Sequence, residues 1–78
     1  MGEKGMIIQL RSMAETVRVR KALAAKGIAS HIVQTPRHMQ RGGCGYALHL
    51  PQEALGEAEN AAQKTGCRIL GVMRSDGG

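Results

Sequence analysis

A chain of 78 residues has room for one modest core and none for a separate catalytic half, so it is expected to form a single domain, 1–78, with its ordered core over about residues 6–73 and any site on the rim or in a shallow cleft. With no Phe or Trp and one Tyr, the interior must be filled by Ile, Leu, Val, Met and Ala, and base stacking is available once at most, which counts against an RNA-recognition or oligonucleotide-binding barrel. The formal charge of +5 favours anionic partners in general, but Arg18, Arg20, Lys21 and Lys26 on one segment and Arg37 and Arg41 on another form no unbroken basic run, so nucleic acid is not the expected partner.

Met1 to Gly5 carry Glu3 and Lys4 and no apolar leader region, and no apolar stretch approaches the ~20 residues that span a bilayer. A cytoplasmic location is the expectation, and in that reducing compartment Cys44 and Cys67 are expected as thiols. Met6–Leu10 is a short apolar run suited to a first strand, with Met6, Ile8 and Leu10 toward the core. Ser12 then stands at an N-cap, with Glu15 three residues on in the capping-box arrangement. The helix it opens runs to Lys26 and stops at Gly27, which takes a left-handed C′ conformation without steric cost. On a helical wheel Met13, Thr16, Val17, Val19, Leu23 and Ala24 form the expected apolar arc, with Glu15, Arg18, Ala22, Ala25 and Lys26 opposite. Arg20 projects inside that arc, as a snorkelling stem or as a guanidinium directed at a ligand.

Ala29–Thr35 reads as a second strand stopped by Pro36. Pro36–Gly45 has no apolar periodicity and is long for a hairpin loop. Tyr46–Leu50 alternates as a half-buried third strand, and Pro51 ends it and opens a second helix, Gln52–Lys64, closed at Gly66. Arg68–Met73 is a fourth strand and Ser75–Gly78 a frayed tail. The order β-α-β-β-α-β predicts an α+β, ferredoxin-like two-layer sandwich, a four-stranded antiparallel sheet with both helices on one face. The other face would show Ile7, Gln9, Ala47 and His49 and invite homodimerisation or docking.

The chemistry concentrates in the loop. Cys44 lies between Gly43 and Gly45, unshielded by neighbouring side chains, and Arg37, His38 and Arg41 supply the positive charge that favours thiolate over thiol. The plainer alternative is a turn shaped by glycines in which Cys44 packs as a small hydrophobe. His38, Cys44 and His49, with His31 and Cys67 as additions, could be weighed as a zinc or copper site, but no Cys-x2-Cys or His-x3-His pair pre-forms half of one, and neither a metal nor a cofactor is expected. No Asp or Glu lies between Thr16 and Gln52 to orient a histidine beside Cys44, so a carrier or binding protein is favoured over a stand-alone enzyme.

The plan of a strand, a helix ending in Gly27-Ile28, a strand ending in Thr35-Pro36-Arg37 and a glycine-flanked Cys44-Gly45 before Ala47-Leu48 resembles the small bacterial proteins grouped as selenium/sulfur carrier-like. The resemblance covers roughly residues 6–73, with Pro36-Arg37 and Cys44-Gly45 as its most specific elements. It implies that Cys44 holds sulfur or selenium as a persulfide or selenopersulfide, taken from a donor protein and relayed to an acceptor, with Gly43, Gly45, Arg37, Arg41 and His38 in support. The stretch His38–Gly43 is more basic and glycine-rich than the serine-rich link of that family, and the first helix is richer in arginine. Cys67 lies outside the motif, as a core cysteine or, if the fourth strand begins beside the loop, a resolving thiol. Two other readings are a ferredoxin-like regulatory module binding an anion through Arg37, Arg41 and the loop amides, and a ribosome- or RNA-associated domain using the first helix.

Overall fold

The computed structural model describes residues 5–35 and 45–75. Four strands and two helices follow one another as β1 (Gly5–Leu10), α1 (Met13–Ala25), β2 (His31–Gln34), β3 (Tyr46–Pro51), a 3₁₀ turn (Gln52–Ala54), α2 (Leu55–Thr65) and β4 (Ile69–Ser75). The sheet has the order β2-β3-β1-β4 with every neighbouring pair antiparallel, the arrangement expected of a ferredoxin-like α+β fold. Pro51 is the last residue of β3, opposite Gly5 at the end of the ladder, and a 3₁₀ turn precedes the second helix. Ser75, expected in a frayed tail, pairs with Gly5.

The N-cap of α1 is Ser12, whose Oγ accepts from the Glu15 amide at 3.2 Å. The second half of the expected capping box is redirected. Glu15 does not return to the Ser12 amide. It accepts from the Arg11 backbone N–H at 3.3 Å, from the Arg11 guanidinium at 3.0 and 2.6 Å, and from the Arg68 N–H at 3.4 Å. Arg11 thereby holds the Glu15 carboxyl below the ordinary glutamate value, with the two backbone N–H groups adding to the shift and burial opposing it.

Both helices end in the same way. Gly27 and Gly66 adopt φ of 78° and 73°. Gly27 N–H donates to Ala24 O and Ile28 N–H to Leu23 O, while Gly66 N–H donates to Gln63 O and Cys67 N–H to Ala62 O. These are two Schellman motifs, in which the residue after the glycine packs back onto the helix.

The core is built from Ile8, Leu10, Val19, Leu23, Leu48 and Leu50 with Ala54, Ala58, Ala61 and Ala62. The buried residues of α1 are Glu15, Thr16, Val19 and Leu23, with Ala22 packed beside them. The expected arc is thus rotated: Met13 and Ala24 lie outside the core and Glu15 and Ala22 turn toward it. Positions 15/16, 19 and 22/23 form one stripe at helical spacing, while 13, 17, 20 and 24 form the next stripe round. On β4 the register slips between Gln9 and Leu10, so that Gln9 faces Gly71 and Leu10 faces Ile69. This bulge at Leu70 returns Ile69 to the helix-covered face.

The opposite face is not the exposed surface its sequence suggested. Ile7, Gln9 and Ala47 are 8, 2 and 0 % exposed, and His49 is half-buried. They stand on the two inner strands, β1 and β3, and not on the edges of the sheet. Gly5 lets the His49 ring lie close, since a Cβ there would meet that ring at 2.8 Å. Among the described residues, the large apolar side chains left exposed are instead Met13, Tyr46, Leu70 and Val72.

Glu15→Gln is expected to lower the melting temperature at neutral pH. Because the folded-state pKa of Glu15 is depressed, its contribution is complete above the ordinary glutamate value of about 4.3 and is lost as pH falls through the folded-state value. The difference between wild type and variant, followed by thermal melts against pH, should therefore narrow progressively as pH falls below the ordinary glutamate value. Gly27→Ala and Gly66→Ala meet no atom within 4 Å, so each should cost only the left-handed backbone penalty, roughly 1–2 kcal/mol by urea denaturation.

Candidate functional site

The loop that carries the cysteine-glycine motif starts and ends at one point. Thr35, just after β2, donates its N–H to the Gly45 carbonyl at 2.9 Å, and Gly45 leads directly into β3. This hydrogen bond joins the two described residues that flank 36–44. It lies at the end of the sheet where β1 finishes and β4 begins, since Gln9 is opposite Ala47 and Leu10 opposite Ile69. The first turn of α1 is at the same end. Of the expected site residues, Gly45 is exposed with open space around it. Arg37, His38, Arg41, Gly43 and Cys44 lie outside the described residues.

Two further groups occupy this end. Gln9, on the face away from the helices between Ala47 and Gly71, is 2 % exposed, and its Nε2 has no hydrogen-bond partner among the described residues. A buried amide N–H₂ left unpaired is disfavoured by about 1–3 kcal/mol, and a donor of this kind would stabilise an anion brought beside it. The sequence signal was present, a polar residue inside the apolar run Met6-Ile7-Ile8-Gln9-Leu10, but alternation assigned it to a solvated face.

Cys67 is half-buried and free. It follows Gly66 in the α2 terminus, the place that Ile28 takes after Gly27 in α1, and packs against the core as Ile28 does. Thr65 donates its hydroxyl to Cys67 Sγ at 3.2 Å, and the thiol in turn lies 3.9 Å from the Glu15 and Thr65 carbonyl oxygens. It also lines an open groove of about 560 Å³ between α2 and β4, with Glu59, Gln63, Arg68, Leu70 and Val72.

The histidines lie on strands other than the one that Cys67 precedes. His31 and His49 are opposite one another on β2 and β3, but the His49 ring leans over Gly5 on the other side. Among the described residues, no three His, Cys, Asp or Glu side chains converge. The basic residues of α1 also divide. Arg18 reaches the Thr65 carbonyl at 3.5 Å and Lys26 pairs with Glu57 at 2.9 Å, both joining α1 to α2. Arg20, Lys21 and Ala24 line a different hollow against Ile28–His31.

The profile of the family described as "Putative Se/S carrier protein-like" matches residues 5–74. The chain belongs to this family. The matched span runs from the first residue of β1 almost to the end of β4 and includes Pro36-Arg37 and Cys44-Gly45. No curated protein and no solved structure matches the chain at a significant level. Among the described residues, no helix is long and apolar enough to cross a membrane.

If Cys67 serves packing, as its place after Gly66 indicates, Cys67→Ala should cost about 1 kcal/mol in a urea titration, the cost of removing one packed sulfur.

Proposed function

We propose that the protein carries sulfur or selenium on Cys44 as a persulfide or selenopersulfide and relays it between a donor and an acceptor protein. The observation that carries this reading is the family match, whose span includes Cys44-Gly45. The Thr35–Gly45 hydrogen bond supports it by fixing the point from which Cys44 departs. The residues flanking it, Gly43 and Gly45, keep side chains away from the sulfur, while Arg37, His38 and Arg41 favour the thiolate.

The step needs no outside oxidant. The Cys44 thiolate attacks the terminal sulfur of a donor persulfide, R–S–SH. A new S–S bond forms as the donor's S–S bond breaks, R–S⁻ leaves, and Cys44 holds the sulfane sulfur as Cys–S–SH. Selenium transfers in the same way from R–S–SeH. Delivery is the reverse exchange onto an acceptor thiolate.

A second reading, an anion-binding regulatory module that dimerises, has a different prediction for the same variant. Intact-protein mass after incubation with a low-molecular-weight persulfide should rise by one sulfur atom in the wild type and in Cys67→Ser, and remain unchanged in Cys44→Ser. Loading that survives in Cys44→Ser would remove the carrier role from this loop and leave the regulatory reading.

A further inference from the structure

We propose that two copies of the chain pair along β4, edge to edge and antiparallel, so that their sheets become one continuous sheet about a two-fold axis. This interface is separate from the carrier reading. The sheet order is β2-β3-β1-β4, so the strands that flank residues 36–44 are the two farthest from β4.

The hydrogen-bond pattern of the sheet decides which backbone groups β4 turns outward. In an antiparallel ladder, hydrogen-bonded and non-bonded residue pairs alternate. The Thr35 N–H donates to the Gly45 carbonyl, in continuation of the pairing of Gln34 with Tyr46, so Gly45, Ala47 and His49 turn their N–H and C=O groups toward β2. Tyr46, Leu48 and Leu50 therefore turn theirs toward β1, where Leu48 and Leu50 meet Ile8 and Met6. That leaves Gly5, Ile7 and Gln9 to bond β4 through Ser75, Met73 and Gly71. Pro51, which has no N–H, falls opposite Gly5 in a non-bonded pair, as the same alternation requires. Val72 and Arg74 lie between the bonded residues of β4. Their N–H and C=O groups point away from the sheet, with no strand beyond them among the described residues.

That edge is complementary to a copy of itself. Pairing Val72 with Arg74 of a second copy, and Arg74 with the Val72 of that copy, meets every outward group of both residues on both chains. Val72 and Arg74 take the helix-covered side, since their β1 partners Ile8 and Met6 are in the core or packed against it. Leu70 and Val72, each 44 % exposed, line a groove against α2 that also holds Glu59. The register lays the aliphatic stem of Arg74 from the second copy across Val72, with its guanidinium toward Glu59. Neither Arg74 nor Glu59 has an ion-pair partner among the described residues, while Arg11, Glu15, Lys26 and Glu57 are paired. The two-fold repeats the contact, and because it uses the β4 edge of both copies the assembly closes as a dimer. Edges kept from pairing are short or carry lysine or proline. β2, with four residues, is short, whereas β4 has seven and holds neither of those residue types.

The test is sedimentation equilibrium of the full chain over a range of concentrations, with amide hydrogen exchange on the same samples. Twice the chain mass of 8.3 kDa is expected at high concentration, and the chain mass on dilution. The Val72 and Arg74 amides should be protected in the concentrated sample and exchange freely in the dilute one, while Gly71 and Met73 stay protected in both. Val72→Pro removes an N–H that the monomer does not use, so it should abolish the dimer and leave the monomer folded. Glu59→Arg and Arg74→Glu should each weaken the dimer by about tenfold, and the two combined should restore it. The proposal is overturned by a chain that is monomeric at every concentration, by a dimer whose Val72 and Arg74 amides exchange as in the monomer, or by charge reversals that do not rescue each other. Cys44→Ser should dimerise as wild type does, which keeps this result apart from the fate of the carrier reading.

Discussion

One carboxylate ties together three segments that are far apart in the chain. Glu15 sits in the first turn of α1, accepts from the backbone and side chain of Arg11 just past β1, and accepts from the Arg68 amide just before β4. Arg11 neutralises the charge, the amino end of α1 favours it, and the remaining oxygen valence is met by backbone donors, so a nearly buried anion is tolerated. The strand that Glu15 anchors, β1, lies between β3 and β4. Glu15 thus pins the start of α1 to the end of β1 and the lead-in to β4, at the end of the sheet where Thr35 and Gly45 also lie.

The positive charge of the chain is distributed by task rather than spread over a surface. Arg11 serves the Glu15 junction, and Arg18 and Lys26 join α1 to α2 through a carbonyl and a carboxylate. What is left over on α1 is Arg20 and Lys21, on the flank that faces the lead-in to β2. The 3₁₀ turn and α2 present Glu53, Glu57 and Glu59 on their outer side. A net charge of +5 therefore says little about an RNA partner here, because attraction to a polyanion depends on how many cations share one face.

The parts of this fold that were legible in the sequence are those decided by local chemistry. Ser12 as N-cap, Gly27 and Gly66 as helix stops, and the strict alternation of Tyr46–Leu50 each act within a few residues, so the pattern and the outcome coincide. Where the outcome depends on what arrives from elsewhere, the pattern misled. The apolar members of α1 gave an arc that included Met13 and Ala24, yet the buried stripe takes in Glu15, because Arg11 and Arg68 meet it there. Alternation placed Ile7, Gln9 and Ala47 on an open face, yet all three are buried, because alternation tells which face a side chain takes and not what packs over that face. The run Ile69–Met73 hid its bulge, since Leu70 is as apolar as its neighbours. Of the candidate site, the motif itself was readable, whereas the placing of Gln9 and Cys67 at the same end of the sheet as Thr35 and Gly45 follows only from strand register.

The hydrogen bond between Thr35 and Gly45 also bears on how such a protein can diversify. Two strand ends held together by the ladder of β2 and β3 make whatever lies between them an exchangeable cassette. The entropy of closing a loop rises only logarithmically, about 0.6 kcal/mol per doubling of length, so changes of length or charge in the cassette scarcely tax the scaffold. Substitutions between Thr35 and Gly45 are therefore expected to leave the sandwich itself unaltered.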